Sequence, residues 1–318
     1  MGQPLFKLNP DGTDFTVIKN LDYTTTGGYP YSATLMQGTD GALYGTTAEG
    51  GGTGNGTLFK LNPDGSGFAV LQNFAYSTTG VKVYSGLMQA TSGAIYGMTA
   101  FGGSYNSGTV FKLNPNGTGF TVLKHLSIGP DITDGGGYLF TGLVQGTDGA
   151  FYGTTQSGGS SGYGTVFKLN PEGTGFTVLK NLDYFTTGGY PQGGALIQGT
   201  DGALYDTASK GGSSGYGTVF TLNPDGTGFT VLKGNFNNST TGAYLYSGLM
   251  QGTDGALYGT TYQGGSNGTG TVFRLYTDGT GFAVLRNFES FGRDWITDCS
   301  VQIEVFSLLS DALDALNP

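Results

Sequence analysis

Four aspartates in loop-like segments of the sequence have the chemistry of a calcium site. Asp22 and Asp183 occupy matching NLDY segments, and Asp131 and Asp134 lie in the segment HLSIGPDITDGGGY at 125–138. Calcium takes about six to eight oxygen ligands, many of them from carboxylates. A bound ion would polarise an ester carbonyl and lower the pKa of a bound water. These four aspartates are therefore the predicted metal ligands, with calcium as the cofactor.

The one histidine of the chain, His125, opens the same segment. Imidazole changes its charge near neutrality, so His125 is a candidate general acid or base beside such a metal. The same position is filled by asparagine at the end of four other repeats, at Asn20, Asn73, Asn181 and Asn287. The alternative interpretation is that His125 caps the end of a strand.

A second candidate for proton transfer is Asp206. The stretch GTDGALYGTT at 38–47 recurs four times, and the copy GTDGALYDTA at 199–208 carries Asp206 where the other copies carry glycine. A side chain at this position has to fit between repeats or point towards a central channel. The alternative role is an ion pair with the nearby Lys210.

Aromatic residues support a competing function. Tyr23, Tyr76 and Tyr184 recur in three of the segments that join one repeat to the next. Tyrosine rings flanked by asparagine and serine donors suit sugar rings, and one copy per repeat would add avidity. Tyr23, Tyr184 and Lys210 are the predicted ligand-binding residues, while Tyr44 and its equivalents are predicted to pack between repeats.

Internal repetition indicates the architecture that positions these residues. The phenylalanine of an FKLNP-like element recurs with a step of about 53 residues, which suits a four-stranded propeller blade. Its copies are Phe6, Phe59, Phe111, Phe167, Phe220 and Phe273.

One period divides into four predicted strands, exemplified by 247–251, 256–261, 270–275 and 281–288. Asp-Gly turns between alternating apolar runs predict tight hairpins at one end of each blade. The long loops lie at the other end, where binding and catalysis usually occur. The aspartates of the tight turns are therefore predicted to form the turns rather than a site; they include Asp40, Asp148, Asp201 and Asp254.

The fold class predicted from this pattern is an all-β propeller of four-stranded blades. Five complete blades begin near residues 31, 84, 140, 193 and 246, and residues 5–20 supply two strands of another. We predict six blades closed by both termini, with five blades and a loose tail as the alternative. The repeats define one domain at 1–288, followed by a non-repeating tail at 289–318 that could close the ring.

Composition excludes several classes of partner. The formal charge is −9 with only 13 Lys and Arg, so no basic stripe is available to bind nucleic acid. A single cysteine, Cys299, excludes an internal disulfide. No apolar run of about 18 residues is present, so membrane insertion is not expected.

The repeated wording YGTTxxGGxxxxGTVFKLNPDGTGFTVLKNF resembles the tandem-repeat β-propeller family called GloVer, found in bacterial exported proteins. The resemblance covers residues 5 to 288. It implies the propeller fold and an extracellular or periplasmic location. The start MGQPLFKLNPDG has no apolar signal region, which leaves a cytoplasmic location open. The family implies no settled activity.

Two functions are expected from these observations. The strand order and hairpins are similar to those of gluconolactonase-like and NHL-type propellers, some of which are calcium-dependent lactonases. By that analogy the chain is a calcium-dependent hydrolase of lactones or esters, with its site at the channel mouth on the long-loop face. The alternative is a non-catalytic, multivalent propeller that binds carbohydrate or a surface. The first expects one asymmetric site, and the second expects several equivalent sites.

Overall fold

Alternating apolar residues and glycine turns build only β-structure in the described part of this chain. The computed structural model describes residues 3–9, 11–30, 35–128 and 137–289. Its strands form six antiparallel sheets, five with four strands and one with two. The chain divides into two compact units, Met1–Leu126 and Ser127–Pro318.

The first unit contains a two-stranded sheet, β1–β2, and two four-stranded sheets, which we call the first blade (β3–β6) and the second blade (β7–β10). The strands are β1 Pro4–Lys7, β2 Thr16–Asn20, β3 Met36–Gln37, β4 Leu43–Thr46, β5 Thr57–Leu61, β6 Ala69–Asn73, β7 Met88–Gln89, β8 Ile95–Thr99, β9 Thr109–Leu113 and β10 Thr121–His125.

The second unit contains the third blade (β11–β14), the fourth (β15–β18) and the fifth (β19–β22). The strands are β11 Val144–Gln145, β12 Phe151–Thr155, β13 Thr165–Leu169, β14 Thr177–Asn181, β15 Ile197–Gln198, β16 Leu204–Ala208, β17 Thr218–Leu222, β18 Thr230–Lys233, β19 Met250–Gln251, β20 Leu257–Thr261, β21 Thr271–Leu275 and β22 Ala283–Asn287.

Each blade is a simple meander in which neighbours along the chain are neighbours in the sheet. The predicted four-strand division is therefore confirmed, although the first strand of each blade is only two residues long. The third and fourth strands share an irregular register at the same place in every blade, for example between Val166 and Phe167. Such a bulge increases the twist of the outer hairpin.

Apolar residues from neighbouring blades form the core. In the second unit, one cluster joins Tyr152 and Val166 of the third blade to Leu204, Phe220 and Leu222 of the fourth. The middle strands are almost fully buried, whereas the fourth strands are partly exposed. A blade therefore contributes both faces to the core and cannot bury either of them alone.

Six sheets in the described residues agree with the predicted six-bladed division. The predicted closure by the tail concerns residues 290–318, which lie outside the described residues. The division into a repeat domain and a tail therefore stays a prediction. In the described ranges, no helix is long and apolar enough to cross a membrane.

Candidate functional site

The long loops of each blade are joined in pairs by backbone hydrogen bonds. The segment that leads into the first strand is bridged to the segment between the second and third strands. The bridged pairs are Gly28 with Glu49, Val81 with Phe101, Gly189 with Lys210, and Ala243 with Gln263. This pairing places the two long loops of a blade together, at the end opposite to the tight turns.

The residue after each of these four bridges has a left-handed backbone conformation, and so has Tyr138 at the matching position of the third blade. Its φ is 52° at Tyr29, 60° at Lys82, 48° at Tyr138, 60° at Tyr190 and 61° at Tyr244. A bulky residue in this region costs of order 1–3 kcal/mol and persists only where its surroundings fix it. The carbonyl of each one accepts a backbone hydrogen bond from the adjoining loop, as in Ser209 N–H to Tyr190 O. The loops therefore hold a tyrosine in a strained conformation in four of the five blades.

The strained tyrosines belong to aromatic clusters. Tyr190 lies edge-to-face with Tyr163 at 5.4 Å between ring centroids, and Tyr184 lies 5.5 Å from Tyr163. Phe185 packs against Tyr184 at 5.3 Å, and its side chain is 73% exposed. Lys210 Nζ lies 5.9 Å from the centre of the Tyr190 ring. We call these five residues the aromatic platform.

Similar clusters occur in other blades. Tyr244 stacks on Tyr246, which meets Tyr262 edge-to-face at 5.3 Å. In the first blade, Tyr23 lies 6.2 Å from Tyr29, and both rings are about half exposed. The predicted ligand-binding residues Tyr23, Tyr184 and Lys210 therefore all lie in the paired long loops, each beside a left-handed tyrosine.

The predicted metal ligands Asp22 and Asp183 cap their own loops. Oδ1 of Asp22 accepts hydrogen bonds from the amides and hydroxyls of Thr24 and Thr25, at 2.6–3.1 Å. The Thr24 hydroxyl is the largest of the influences that lower the pKa of Asp22 to about 2. Oδ1 of Asp183 accepts from the amide of Phe185 and from the amide and hydroxyl of Thr186, and the Thr186 amide lowers its pKa most.

These caps use one oxygen of each carboxylate for local structure. In the described ranges, no three His, Cys, Asp or Glu side chains lie close enough together to hold a metal ion. Asp131 and Asp134 lie outside the described residues. The described donors, Asp22 and Asp183, thus do not by themselves fit a calcium cage. The four-ligand calcium site stays a prediction.

His125 accepts the loop hydrogen bond that an asparagine accepts in other blades. Its Nδ1 accepts a hydrogen bond from the Ser104 amide at 3.1 Å. Oδ1 of Asn181 accepts in the same way from the Ser160 amide at 2.9 Å, and Oδ1 of Asn287 accepts from Ser266 at 2.8 Å. The geometry therefore supports the capping interpretation of His125, with Nδ1 unprotonated as an acceptor. A proton-transfer role for His125 stays a prediction.

Asp206 is buried between the third and fourth blades, with 2% of its surface exposed. It pairs across the sheet with Phe220. Its Oδ1 accepts the Thr207 amide at 2.7 Å, and its Oδ2 has no partner among the described residues. Burial raises the pKa of Asp206 to about 7, while the Thr207 amide and the Thr154 hydroxyl of the third blade act in the opposite direction.

Neither charged residue of the neighbouring loops neutralises Asp206. The predicted pair with Lys210 is not formed, because Lys210 lies over Tyr190 and Oδ2 of Asp206 is without a partner in the described part of the chain. Glu49 of the first blade instead forms an ion pair with the left-handed Lys82. Asp206 is thus a buried carboxyl between two blades, and its catalytic role also stays a prediction.

The aspartates of the tight turns form the turns, as expected. Oδ1 of Asp148 accepts the Ala150 amide at 3.1 Å. Its Oδ2 accepts the Tyr152 hydroxyl at 2.7 Å and Lys168 Nζ at 2.8 Å. The same arrangement occurs at Asp40 in the first blade. In the fourth blade, Asp201 accepts the Tyr205 hydroxyl at 2.5 Å, but Thr221 stands where the first and third blades have lysine.

The sequence interpretation missed part of the aromatic platform. Tyr163 and Phe185 were not predicted, although Tyr163 and Tyr216 stand at the same place in matching SGYG segments. The amide of Tyr190 donates to the carbonyl of Tyr163 at 2.8 Å, so this loop position of one blade supports the strained tyrosine of the next. Aligning the repeats would have found Tyr163, but only the structure shows its contact with Tyr190.

A family model described as the Gloeobacter/Verrucomicrobia repeat matches residues 4–198 and 131–298 of this chain. No curated protein matches the sequence. Among solved structures, a chain of a nidogen/laminin complex is similar with a TM-score of 0.55 and 13% identity, over 91% of each chain. TolB from Acinetobacter baumannii gives a TM-score of 0.46 and 12% identity, over 87% of this chain and 57% of that chain. The first likeness concerns the fold alone, which is a β-propeller.

Proposed function

This chain belongs to the Gloeobacter/Verrucomicrobia repeat family, and we propose that it is a non-catalytic propeller that binds carbohydrate through the aromatic clusters of its long loops. The observation that carries the proposal is the aromatic platform of Tyr163, Tyr184, Phe185, Tyr190 and Lys210. Its rings are partly exposed in loops that the backbone holds in a strained conformation. We place this binding outside the cytoplasm, following the resemblance to exported repeat proteins.

The platform has the composition of a sugar-binding surface. Aromatic side chains offer a large, rigid contact area with little entropy to lose on binding. The exposed ring of Phe185 and the partly exposed ring of Tyr184 would stack on the apolar face of a sugar ring. Tyrosine hydroxyls and the Lys210 ammonium would donate hydrogen bonds to its hydroxyls. The strain at Tyr190 is consistent with a preorganised site, because its free energy is supplied by folding and not by binding.

Repetition supports a multivalent surface. Tyr29 and Tyr244 occupy the loop position of Tyr190 in other blades, and each lies beside further tyrosine rings. Linked weak sites bind a polymer with an overall affinity well above that of any one site. A polysaccharide or a glycan-covered surface is therefore the proposed partner.

The calcium-dependent lactonase is the competing proposal. It would use Asp22, Asp183, Asp131 and Asp134 as ligands and His125 or Asp206 for proton transfer. Its support comes from the raised pKa of Asp206, which burial brings to about 7, within the range of a general acid or base. The buried position of Asp206 and the capping bond of His125 count against it.

The test is a titration of the purified chain with neutral oligosaccharides, followed by calorimetry. We expect more than one bound sugar per chain. Phe185→Ala or Tyr184→Ala should lower the stoichiometry by one or weaken binding about tenfold, the usual effect of removing an aromatic anchor. Tyr105→Ala is the matched control, because Tyr105 is a loop residue of the second blade with 62% exposure and is not part of the platform.

The same preparation distinguishes the two proposals. Hydrolysis of a lactone panel is measured with and without a calcium chelator. Chelator-sensitive turnover that is lost in Asp183→Asn but kept in Asp148→Asn would establish the hydrolase. Absence of binding by every oligosaccharide, or equal binding by Phe185→Ala and wild type, would overturn the carbohydrate proposal.

A further inference from the structure

Three positions in or beside the tight turns of each blade can carry a charge, and we call them the corner of the blade. These are the acid of the turn between strands one and two, the residue near the end of strand three, and the acid of the turn between strands three and four. In the third blade they are Asp148, Lys168 and Glu172. Lys168 Nζ lies 2.8 Å from Asp148 Oδ2, so the cation is neutralised inside its own blade. Lys60 and Asp40 form the same pair at 2.7 Å in the first blade.

The second blade differs from all the others at this corner. Ser92 replaces the first acid and Asn116 replaces the second, while Lys112 is kept. One cation without an acid gives this corner a formal charge of +1. One cation and two acids give −1 in the first, third and fifth blades, and two acids with Thr221 give −2 in the fourth. The second blade therefore has the one positive corner of the five, in a chain whose formal charge is −9.

The loss of both acids leaves Lys112 with no carboxylate partner among the described residues. Lys112 Nζ lies 5.8 Å from the centre of the Tyr96 ring. It lines an open pocket of about 500 Å³ together with Ser92, Gly93 and Asn116. In the first and third blades, the corresponding aspartate reaches the lysine and the tyrosine hydroxyl together.

The polar groups around this pocket are arranged as donors. Oδ1 of Asn116 accepts the amide and the hydroxyl of Thr118, at 3.0 and 2.7 Å. The Nδ2 group of Asn116 makes no hydrogen bond within the described residues, so its two hydrogens are available. Ser92 Oγ accepts the Ala94 amide at 3.4 Å, which leaves its hydroxyl hydrogen free to donate. An ammonium, an amide and a hydroxyl thus meet one pocket, and none of them carries negative charge.

We propose that the corner of the second blade binds an oxyanion: sulfate, phosphate, or a carboxylate on a larger molecule. Lys112 Nζ provides the charge, and Asn116 Nδ2 and Ser92 Oγ donate hydrogen bonds to the oxygens. Lysine acts in such sites as a mobile point charge, so affinity is set mainly by that charge and falls with added salt. The bound oxyanion takes the place that the aspartate carboxylate takes in the first and third blades. This inference does not rest on the carbohydrate proposal, because the two sites lie at opposite ends of the blades.

Residue-resolved NMR of the full chain tests this inference, with sodium sulfate, sodium phosphate and sodium acetate as probes at constant ionic strength. We expect saturable shifts of the Ser92, Gly93 and Asn116 amides. Saturation by sulfate or phosphate alone supports a tetrahedral oxyanion. Saturation by acetate as well supports a carboxylate.

Three variants sharpen the test. Lys112→Met removes the charge, and Ser92→Asp restores the acid found in the other blades, so each should weaken binding about tenfold or more. Lys168→Met is the matched control, since it removes an aspartate-paired lysine, and it should bind as wild type does. Unfolding midpoints identify any variant that fails to fold, and Ser92→Asp is expected to fold because it recreates the aspartate–lysine pair of the first and third blades. Equal binding by wild type, Lys112→Met and Ser92→Asp, or shifts that never saturate, would overturn the proposal.

Discussion

Two neighbouring seams of the second unit, by which we mean interfaces between consecutive blades, differ in the residue at one equivalent strand position. Between the third and fourth blades, Asp206 presents a buried carboxyl to Thr154. Between the fourth and fifth blades, the same position is Gly259, and a β-carbon there would collide with the ring of Phe273 and crowd Leu249. The backbone pairing is unchanged, because Asp206 faces Phe220 as Gly259 faces Phe273. The same strand position thus holds a buried carboxyl in one seam and has no room for a β-carbon in the next.

Of the variants that test this comparison, Gly259→Asp should lower the free energy of unfolding the most. The new carboxyl would meet the Phe273 ring and would be buried without a partner, so the free energy of unfolding should fall by about 3–5 kcal/mol. Urea unfolding followed by circular dichroism measures the loss. Gly259→Ala separates the steric cost from the cost of the charge. A loss below about 1 kcal/mol for Gly259→Asp would show that any seam accepts the carboxyl.

Asp206 should make stability depend on pH in the direction opposite to that of an ordinary carboxylate. Its pKa is raised from 3.8 to about 7 by burial. Between these values the folded chain keeps a proton that the unfolded chain releases. The stabilisation that Asp206 contributes is therefore fully present at pH values below the pKa that it has in the unfolded chain. It is lost as the pH rises towards about 7, by up to about 4 kcal/mol.

The measurement compares wild type with Asp206→Asn by urea unfolding at about pH 4, 6 and 8, across the window between the two pKa values. The difference isolates Asp206 from surface acids such as Asp22, whose lowered pKa acts in the opposite direction. The stability of wild type relative to Asp206→Asn should fall as pH rises. A difference that stays constant across this range would mean that Asp206 does not titrate in the folded chain within it.

Asp148→Ser should give a moderate effect, because it gives the third blade the serine that the second blade has at this position. It removes bonds to Lys168, Tyr152 and Ala150. We expect a loss of about 1–2 kcal/mol, smaller at high salt since the ion pair is partly exposed. Asp201→Ser, which removes an acid with no lysine partner, should cost less and depend less on salt. Equal losses at the two aspartates would mean that the ion pair adds nothing.

His125→Asn should have the smallest effect, within about 0.5 kcal/mol of wild type. Asparagine accepts the equivalent loop amide in the third and fifth blades, so it should accept that of Ser104. His125→Ala should cost about 1 kcal/mol more, because the Ser104 amide would lose its acceptor. If His125→Asn abolished a lactonase activity while leaving stability intact, a catalytic role would replace the capping role.

The fold could be predicted from sequence because its determinants are local. Alternation of apolar residues, Asp-Gly turns and a regular period depend on neighbouring residues, and all four strands of each complete blade lie where these signals predict them. The candidate site could be predicted only in part. The loop positions of Tyr23 and Tyr184 follow from the repeat, but the contact of Tyr163 with Tyr190 joins loops of consecutive blades.

Where the structure differs from the sequence-based expectation, the reason is a contact between side chains of different repeats. Sequence proximity suggested a pair between Asp206 and Lys210, yet alternation along the strand and the turn beyond it send the two side chains to different surroundings. Lys210 lies over Tyr190 at the loop end, and Asp206 enters the seam. Likewise Glu49 forms an ion pair with Lys82, which is 33 residues away in the sequence, because the loops of consecutive blades are in contact.

The sequence by itself determined the blades, their hairpins and the places where one repeat departs from the others, since each is a property of a short segment. Only the tertiary structure decided what those departures mean. It buried Asp206 between two blades, where burial makes the neutral carboxyl the favoured form. It also left Lys112 beside a pocket without an acid. Charge and burial depend on which side chains of neighbouring blades come together, and that depends on packing rather than on local sequence.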